Sequence, residues 1–258
     1  MMVENNGVKY FVFKNLTAAG VRHGISTRMG GVSVGPYESM NLWMASGDCP
    51  RTLQRNYALF CGAVGFDVDK IIKVKQVHGT KVAFFPTDNE VGEADGLATN
   101  AAGVVLTTYY ADCVPLLFFD PVKCVIVNAH AGWRGVAANM MGAAVDAMVN
   151  RYGSHPSNII VGIGPSISVD NFEVGQDCVD IFKKSLPFSA NFIYNSRSIK
   201  YKYYVDLWEI CREGLILAGL RPENIEVAGI CTYASPDLFF SHRRDGLPRG
   251  SMAAMICL

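Results

Sequence analysis

The sequence predicts an α+β fold, in which a mixed β-sheet is flanked by helices in an α/β/α-like sandwich built by a single domain over residues 1–258. Short apolar runs rich in branched and aromatic residues are typical of strands. They alternate along the chain with segments whose apolar residues recur at helical spacing. Hydrophobic residues make up 50% of the 258 positions, which is enough to bury a large core.

The N-terminal part begins with a strand pattern, VKYFVFK at 8–14. The segment from 21 to 42, VRHGISTRMGGVSVGPYESMNL, contains several glycines. Over most of its length its apolar residues recur neither at helical spacing nor at every second position as in a strand, so we expect a long loop. Long loops in compact domains are often functional, although a plain surface excursion fits the same pattern. This one carries Arg28 and Asn41, which we predict to contact substrate.

The centre of the chain is the stretch ADCVPLLFFDPVKCVIVNAHAGWRG at 111–135. Two strand-like runs flank Asp120-Pro121-Val122-Lys123, which has the chemistry of a tight turn, and this arrangement predicts a hairpin. A hairpin places the start of one strand beside the end of the other, so Cys113 and His130 are expected at one sheet edge. A thiolate beside an imidazole can bind a soft metal or act as a nucleophile with its base.

A glycine-flanked turn, Gly132 to Gly135, is expected to open a helix at VAANMMGAAVDAMVNRYG. Backbone N–H groups at such a helix start attract anions, and Arg134 adds a forked donor. The turn therefore suits phosphate, while a strand-to-helix connection with a solvent-facing arginine is the plain alternative. Further helices are expected at RTLQRNYALFCGAVG and VDLWEICREGLILAGL, and IIKVKQVHGTKVAFF reads as two strands interrupted at His78.

Composition excludes several classes of function. Lys+Arg and Asp+Glu both number 23, so no basic excess points to nucleic acid or an anionic membrane. No apolar run reaches transmembrane length and the start lacks a signal-peptide pattern, so we expect a cytoplasmic protein with a small-molecule ligand. The 8 cysteines include no CxxC pair, and most of them are expected to be buried thiols. The sequence does not predict an oligomeric state.

The chain resembles the laccase-domain family, whose members have been described as polyphenol oxidases and as purine nucleoside phosphorylases with adenosine deaminase activity. The resemblance spans nearly the whole chain. It rests on KQVHGTKV, ADGLAT, ADCVPLLFFDP, NAHAGWRG, GIGPSIS with FEVG, YVDLWEICREGLILAG, and CTY with DLFFSHRRDG. Trp43 and the run Arg249-Gly250-Ser251 depart from the family pattern, and both bear on substrate choice.

The resemblance implies a metal site made of His78, Cys113 and His130, with zinc as the expected ion. His78 is assigned to the metal site by the resemblance alone. Three N/S ligands with an open fourth position are typical of a catalytic zinc, and the same ligand set suits copper. A true multicopper oxidase needs far more imidazoles than the 5 histidines present.

We therefore predict a purine nucleoside phosphorylase that acts on adenosine and inosine, with guanosine and methylthioadenosine as further candidate substrates, and that also deaminates adenosine. Catalysis is assigned to Cys113, His130, His78 and Arg134, and Arg243 joins Arg28 in holding phosphate. Candidates for purine stacking are Tyr109, Tyr110, Phe239 and Phe240. Asp112 and Glu173 are candidate proton carriers. The alternatives are a metal-free hydrolase with a Cys113–His130 dyad, a copper-dependent polyphenol oxidase, and a non-enzymatic binding protein.

Overall fold

Two six-stranded sheets and a smaller three-stranded sheet form the framework. The structure, a computed structural model, describes residues 1–86, 92–196 and 199–258. Strands β1 to β15 span Met2–Asn5, Val8–Phe11, Arg22–Ser26, Ile71–Lys73, Val82–Phe84, Gly96–Thr99, Val105–Tyr110, Val114–Asp120, Val125–Ala131, Ile160–Ile163, Glu173–Val174, Ile193–Asn195, Tyr203–Val205, Ile225–Val227 and Met252–Cys257.

The helices lie mostly in the second half of the chain. Helices α1 to α7 span Lys14–Ala18, Pro50–Val64, Trp133–Ala137, Met140–Tyr152, Gln176–Ser185, Leu207–Leu217 and His242–Asp245. Short 3₁₀ turns occupy Gly35–Tyr37, Val68–Lys70, Pro156–Asn158, Val169–Asn171, Pro187–Phe192 and Pro222–Asn224. Within the described ranges, no helix is long and apolar enough to cross a membrane.

The two large sheets stack face to face. Their strand orders are β1-β2-β3-β15-β7-β4 and β14-β10-β8-β9-β6-β5, and each contains parallel and antiparallel pairs. One core cluster fills the space between them, with Phe13 and Ile256 from the first side and Leu117 and Ile126 from the second. Helices α3 to α6 cover the outer face of the second sheet, and α2 covers the outer face of the first.

The predicted α+β class, with mixed sheets flanked by helices, is confirmed, but the single sheet is in fact two. The layers are therefore α/β/β/α. All seven residues of β8 and of β9 are buried, so these strands are covered on both faces. A helix or a second sheet can provide that cover, and apolar periodicity does not distinguish the two.

The expected long loop begins later than the sequence indicates, because its first residues form β3. This strand pairs antiparallel with the C-terminal strand β15, where Ile25 lies opposite Ala254. β3 also pairs with β2, where Phe11 lies opposite Ile25, but β15 is more than two hundred residues away, so local periodicity gave no sign of that second pairing. The remainder of the segment is irregular apart from one 3₁₀ turn and an isolated bridge between Ser33 and Ser39.

The hairpin at the centre is confirmed, with Val114 opposite Ala131 and Pro115 opposite His130. The Asp120 carboxylate accepts hydrogen bonds from the backbone N–H groups of Val122 and Lys123, which closes the turn. All eight cysteines are free thiols, but only four of them, rather than most, are buried: Cys61, Cys178, Cys211 and Cys257.

The helix expected after Arg134 is divided. It starts at Trp133 rather than after the turn, ends at Ala137, and restarts at Met140. Asn139 adopts a left-handed conformation, with φ of 65°, and its side chain caps α4 by accepting from the Gly142 N–H. Asparagine tolerates this conformation and caps helices well, which explains a break that apolar spacing conceals.

Candidate metal centre

Cys113 and His130 lie at one end of the β8–β9 hairpin. Cys113 directly precedes β8, and His130 is the sixth residue of β9, opposite Pro115. The register therefore brings a thiol and an imidazole to the same sheet edge. His130 is buried, whereas Cys113 is partly accessible.

His78 arrives from a separate part of the fold, the turn between β4 and β5. Its backbone is left-handed, with φ of 61°, and its side chain is exposed. The His78 ring lies nearly perpendicular to the His130 ring at a centroid distance of 4.9 Å, and its Nε2 is 3.9 Å from the Cys113 Sγ. The turn thus closes a cluster of two imidazoles and one thiol.

One ligand atom from each of His78, Cys113 and His130 lies within 4.8 Å of the other two. In a tetrahedral zinc site, two such ligand atoms stand about 3.5 Å apart, so a small contraction suffices to hold an ion. The donors are two nitrogens and one sulfur, the set preferred by zinc and also accepted by copper. The residues present therefore fit a single transition-metal ion.

Asp95 supports this cluster, although the sequence reasoning gave it no role. Its buried carboxylate accepts a hydrogen bond at 2.8 Å from Nδ1 of His130, which leaves Nε2 of that ring as the ligand atom. It also accepts from the backbone N–H groups of Val77, His78 and Gly79, so it holds the His78 turn in place. The available signal was its position in the ADGLAT motif, directly before β6, which pairs with β9.

The thiol and imidazole shift each other's ionisation when no metal is bound. Burial raises the pKa of Cys113, but the charges and hydrogen bonds of His130 and His78 outweigh it and lower the pKa to about 6. Burial lowers the pKa of His130, but the Cys113 thiolate and the Asp95 carboxylate raise it to about 9. At neutral pH, the pair is therefore a thiolate beside an imidazolium. A thiolate is the form that binds metal.

Two cavities meet at the cluster and share His78, Ala111 and Cys113 in their walls. The first cavity has a volume of about 610 Å³. Its other lining residues are Trp43, Met44, Ala45, Lys73, Val74, Lys75, Gln76, Tyr109, Tyr110, His130, Arg249 and Ser251. The second cavity has a volume of about 420 Å³. Its other lining residues are Asp112, Trp133, Arg134, Ile167, Phe172, Glu173, Val174, Gly175, Asp177, Cys178, Leu207, His242 and Arg243.

Arg134 and Arg243 both line the second cavity. The Arg134 guanidinium lies over the Trp133 ring, 4.2 Å from its centroid. Arg243 donates from Nη1 to the Glu173 carbonyl oxygen at 2.9 Å. In the described ranges, neither guanidinium has a carboxylate within ion-pair distance. Two cations without ion-pair partners in the described residues therefore face this cavity, whose lining also includes Asp112, Glu173 and Asp177.

Arg28 and Asn41 lie outside both cavity walls. The Arg28 guanidinium donates to the Pro236 carbonyl oxygen and lies 4.7 Å from the Phe240 ring centroid. The Asn41 amide is fully buried, and its Oδ1 accepts from the backbone N–H groups of Trp43 and Ser251. Asn41 thus positions two residues of the first cavity from behind.

The residues predicted to stack on the purine or to carry a proton lie partly in the cavity walls and partly in the protein core. Tyr109 and Tyr110 line the first cavity, whereas Phe239 and Phe240 are buried in a separate small core cluster. Both Asp112 oxygens are engaged, one by the Thr232 hydroxyl and the other by the Ser241 hydroxyl and the Arg243 N–H. Glu173 also lines the second cavity and pairs with Lys202 at 3.4 Å.

Residues 22–258 match the model of the family described as multi-copper polyphenol oxidoreductase laccase. The chain belongs to this family. The match covers the cluster, both cavities and nearly all of the two stacked sheets, so the resemblance in the sequence motifs is confirmed.

Curated relatives in this family carry the name purine nucleoside phosphorylase. YlmD from Bacillus subtilis is 35% identical over 244 residues, which cover 90% of this chain and 87% of that protein. YfiH from Escherichia coli is 35% identical over 236 residues, which cover 90% of this chain and 92% of that protein. The crystal structure of YlmD from Geobacillus stearothermophilus superposes with a TM-score of 0.91 at 32% identity, covering 99% of this chain and 97% of that one.

Proposed function

We propose that this protein is a purine nucleoside phosphorylase whose catalytic centre is the His78–Cys113–His130 cluster. One observation carries the proposal: the cluster lies where a cavity with two unpaired arginines meets a cavity with tryptophan and tyrosine in its wall. Phosphorolysis needs an anion and a planar base to approach one ribose carbon from different sides. The names of the relatives support the same reaction.

Phosphate is assigned to the second cavity, where Arg134 and Arg243 supply forked donors. Trp133 stacks on the Arg134 guanidinium and restricts its orientation. The carboxylate of Glu173, which also faces this cavity, is balanced by Lys202. Positive charge that develops on the ribose is thus met by a phosphate held close to the cluster.

The cluster is assigned to one zinc ion, with copper as the other ion that these ligands accept. When bound, zinc would act as a Lewis acid at its open fourth position. Asp95 keeps the His130 ring oriented and makes it a better ligand. Cys113 supplies its sulfur as a thiolate at neutral pH.

We also propose hydrolytic deamination of adenosine as a second activity, because a metal with an open position can activate water. The reaction needs a proton carrier. Asp112 is held by three hydrogen bonds of 2.6–2.9 Å, whereas the two Glu173 oxygens have longer contacts of 3.4 Å with Lys202 and the Tyr204 hydroxyl. Glu173 is therefore the better of the two carboxylates for this role. Conversion of adenosine to inosine without phosphate tests the assignment, and its absence in zinc-loaded protein would contradict it.

The rival class is a metal-free hydrolase with a Cys113–His130 dyad. The Asp95–His130 hydrogen bond also fits that scheme, since nucleophile–base pairs are often oriented by a third group. His78 separates the two interpretations, because a dyad does not need a second imidazole 3.9 Å from the sulfur.

The deciding experiment measures metal content and base release together in the wild type and in His78→Ala, Cys113→Ala, His130→Ala and Arg134→Ala. The first three variants should lose zinc, free base and ribose 1-phosphate together. Arg134→Ala should keep zinc and show a higher KM for phosphate, because it loses an anion donor and not a ligand. A His78→Ala protein with full zinc and full activity would overturn the proposal and favour the dyad.

A further inference from the structure

Arg249 holds an uncompensated charge in the wall of the first cavity. Its Nη1 donates to the Gly250 carbonyl oxygen at 2.8 Å and to the Ser251 hydroxyl at 2.7 Å, and its Nε makes only a long contact of 3.4 Å with His242. Within residues 1–86, 92–196 and 199–258, no carboxylate is within ion-pair distance of this guanidinium and Nη2 has no hydrogen-bond partner. In the described residues, Nη2 therefore has no protein acceptor and is available to a ligand in this cavity.

The Trp43 ring faces the same guanidinium, whose central carbon lies 6.0 Å from the ring centroid. The two residues are far apart in the chain, but the buried Asn41 amide holds both segments by accepting from the N–H groups of Trp43 and Ser251. An aromatic plane and a planar donor therefore stand in a fixed relation on one wall. This combination suits a flat ring whose edge carries hydrogen-bond acceptors.

Side-chain acceptors are scarce on this wall. Both ends of the Gln76 amide are used by the Tyr109 backbone, since Nε2 donates to its carbonyl oxygen and Oε1 accepts from its N–H. Outside the metal cluster, the other charged residues that line the cavity are Lys73 and Lys75, which can only donate. No Asp or Glu belongs to the described lining of the first cavity.

We propose that Arg249 selects 6-oxopurine nucleosides, such as inosine and guanosine, over the 6-amino nucleoside adenosine, while Trp43 stacks on the purine ring of either; this inference rests on the phosphorylase function proposed above. The O6 and N7 atoms of a 6-oxopurine both accept, and the Nη2 group of Arg249, which has no partner in the described residues, can donate to that edge. Adenine presents an N6 amino group at the same place. Proteins recognise that edge of adenine with a free Asn or Gln amide, but both ends of the Gln76 amide in this cavity are already hydrogen-bonded to Tyr109.

The test measures initial rates of hypoxanthine and adenine release from inosine and adenosine with phosphate, separating the two bases by chromatography. Wild-type kcat/KM should favour inosine by about ten-fold or more, the effect of one charged hydrogen bond. Arg249→Met should bring the ratio close to one, mainly through a higher KM for inosine, and Arg249→Lys should restore it in part. Trp43→Leu should lower kcat/KM for both nucleosides by similar factors.

Arg221→Met is the matched control, since Arg221 is exposed and lines neither cavity, and it should leave the ratio unchanged. Equal wild-type rates with both nucleosides would overturn the inference. So would an unchanged ratio in Arg249→Met, including the case in which that variant loses only phosphate affinity. If no nucleoside released base, the phosphorylase proposal would fail by itself, and calorimetric titration with hypoxanthine and adenine would still decide whether Arg249 distinguishes them.

Discussion

The Asp95 side chain connects the two histidines of the metal cluster. Its carboxylate accepts from one His130 ring nitrogen and from three consecutive backbone N–H groups of the His78 turn. Four donors thus converge on two oxygens. Partners of this type behind a metal ligand orient the ring and raise its basicity.

Asp95→Asn should therefore lower zinc affinity by about 10- to 100-fold. One carboxylate oxygen is replaced by an NH2 group, which donates and cannot accept hydrogen bonds from the backbone N–H groups or from the His130 ring. Competition with a chelator gives the affinity. Glu93→Gln is the control: Glu93 is exposed, lies two residues away and pairs with Lys75 on the surface. An Asp95→Asn protein that bound zinc as tightly as the wild type would remove Asp95 from the site.

Cys113 should react as a thiolate in metal-free protein at neutral pH. Because its pKa is lowered to about 6, the rate of alkylation by iodoacetamide should rise as pH increases through about 6, well below the range of an ordinary thiol. His130→Gln should move this rise to higher pH, since it removes the positive partner. Peptide-level mass spectrometry separates Cys113 from the exposed Cys49 and Cys124. A wild-type profile centred above pH 8 would contradict the ion pair.

At the scale of elements, the start of α3 is packed directly against the metal ligands. Gly132 precedes this helix with φ of −64°, so its backbone does not require glycine. A Cβ at this position would nevertheless stand 2.5 Å from the His78 ring and 3.3 Å from the Cys113 sulfur. The absence of a side chain allows the helix to begin beside the cluster.

Gly132→Ala should displace the His78 ring and reduce zinc binding and turnover at least ten-fold, while the melting temperature of the metal-free protein stays close to that of the wild type. Gly62→Ala is the matched control, because a Cβ there meets no atom within 4 Å and lies inside α2. It should stabilise the protein by about 0.5–1 kcal/mol without affecting zinc. Equal zinc affinity in both variants would show that the close approach is not needed.

At the scale of the whole molecule, Asn128 joins the two stacked sheets. It belongs to β9 in the second sheet, and its fully buried amide donates to the carbonyl oxygens of Leu106 in β7 and Ala254 in β15. Its Oδ1 accepts from the Thr108 and Tyr110 hydroxyls of the first sheet. The sheets are thus held at a fixed offset by one polar residue within an apolar interface.

Asn128→Leu should lower the free energy of unfolding by about 2–4 kcal/mol, since it leaves buried carbonyl and hydroxyl groups without this partner. Urea unfolding of metal-free protein measures the loss. Thr107→Val on the adjacent strand is the control: the Thr107 hydroxyl is buried without a partner in the described part of the chain, so its removal should be neutral or stabilising. A loss below about 1 kcal/mol for Asn128→Leu would contradict the proposed link.

Local sequence was sufficient where neighbours in the chain are neighbours in space. The Asp120 turn and the two apolar runs predict the hairpin, and the hairpin alone places Cys113 beside His130. Helical spacing likewise predicts α2 and α6. Both kinds of element depend on contacts within a few residues, which periodicity records.

Tertiary structure decided the features that depend on distant pairing. β3 lies between β2 and the distant strand β15, and only the fold brings β15 to it. The strands buried on both faces are covered by a second sheet, which their own pattern does not specify. Family resemblance recruited His78, but only the fold shows that Asp95 binds its turn. Arg249 meets Trp43 only because the buried Asn41 amide holds both segments. Hydrogen bonds between residues this far apart produce no periodic pattern in the sequence. Sequence motifs therefore identify the ligands of the site, whereas the three-dimensional structure shows which residues position those ligands.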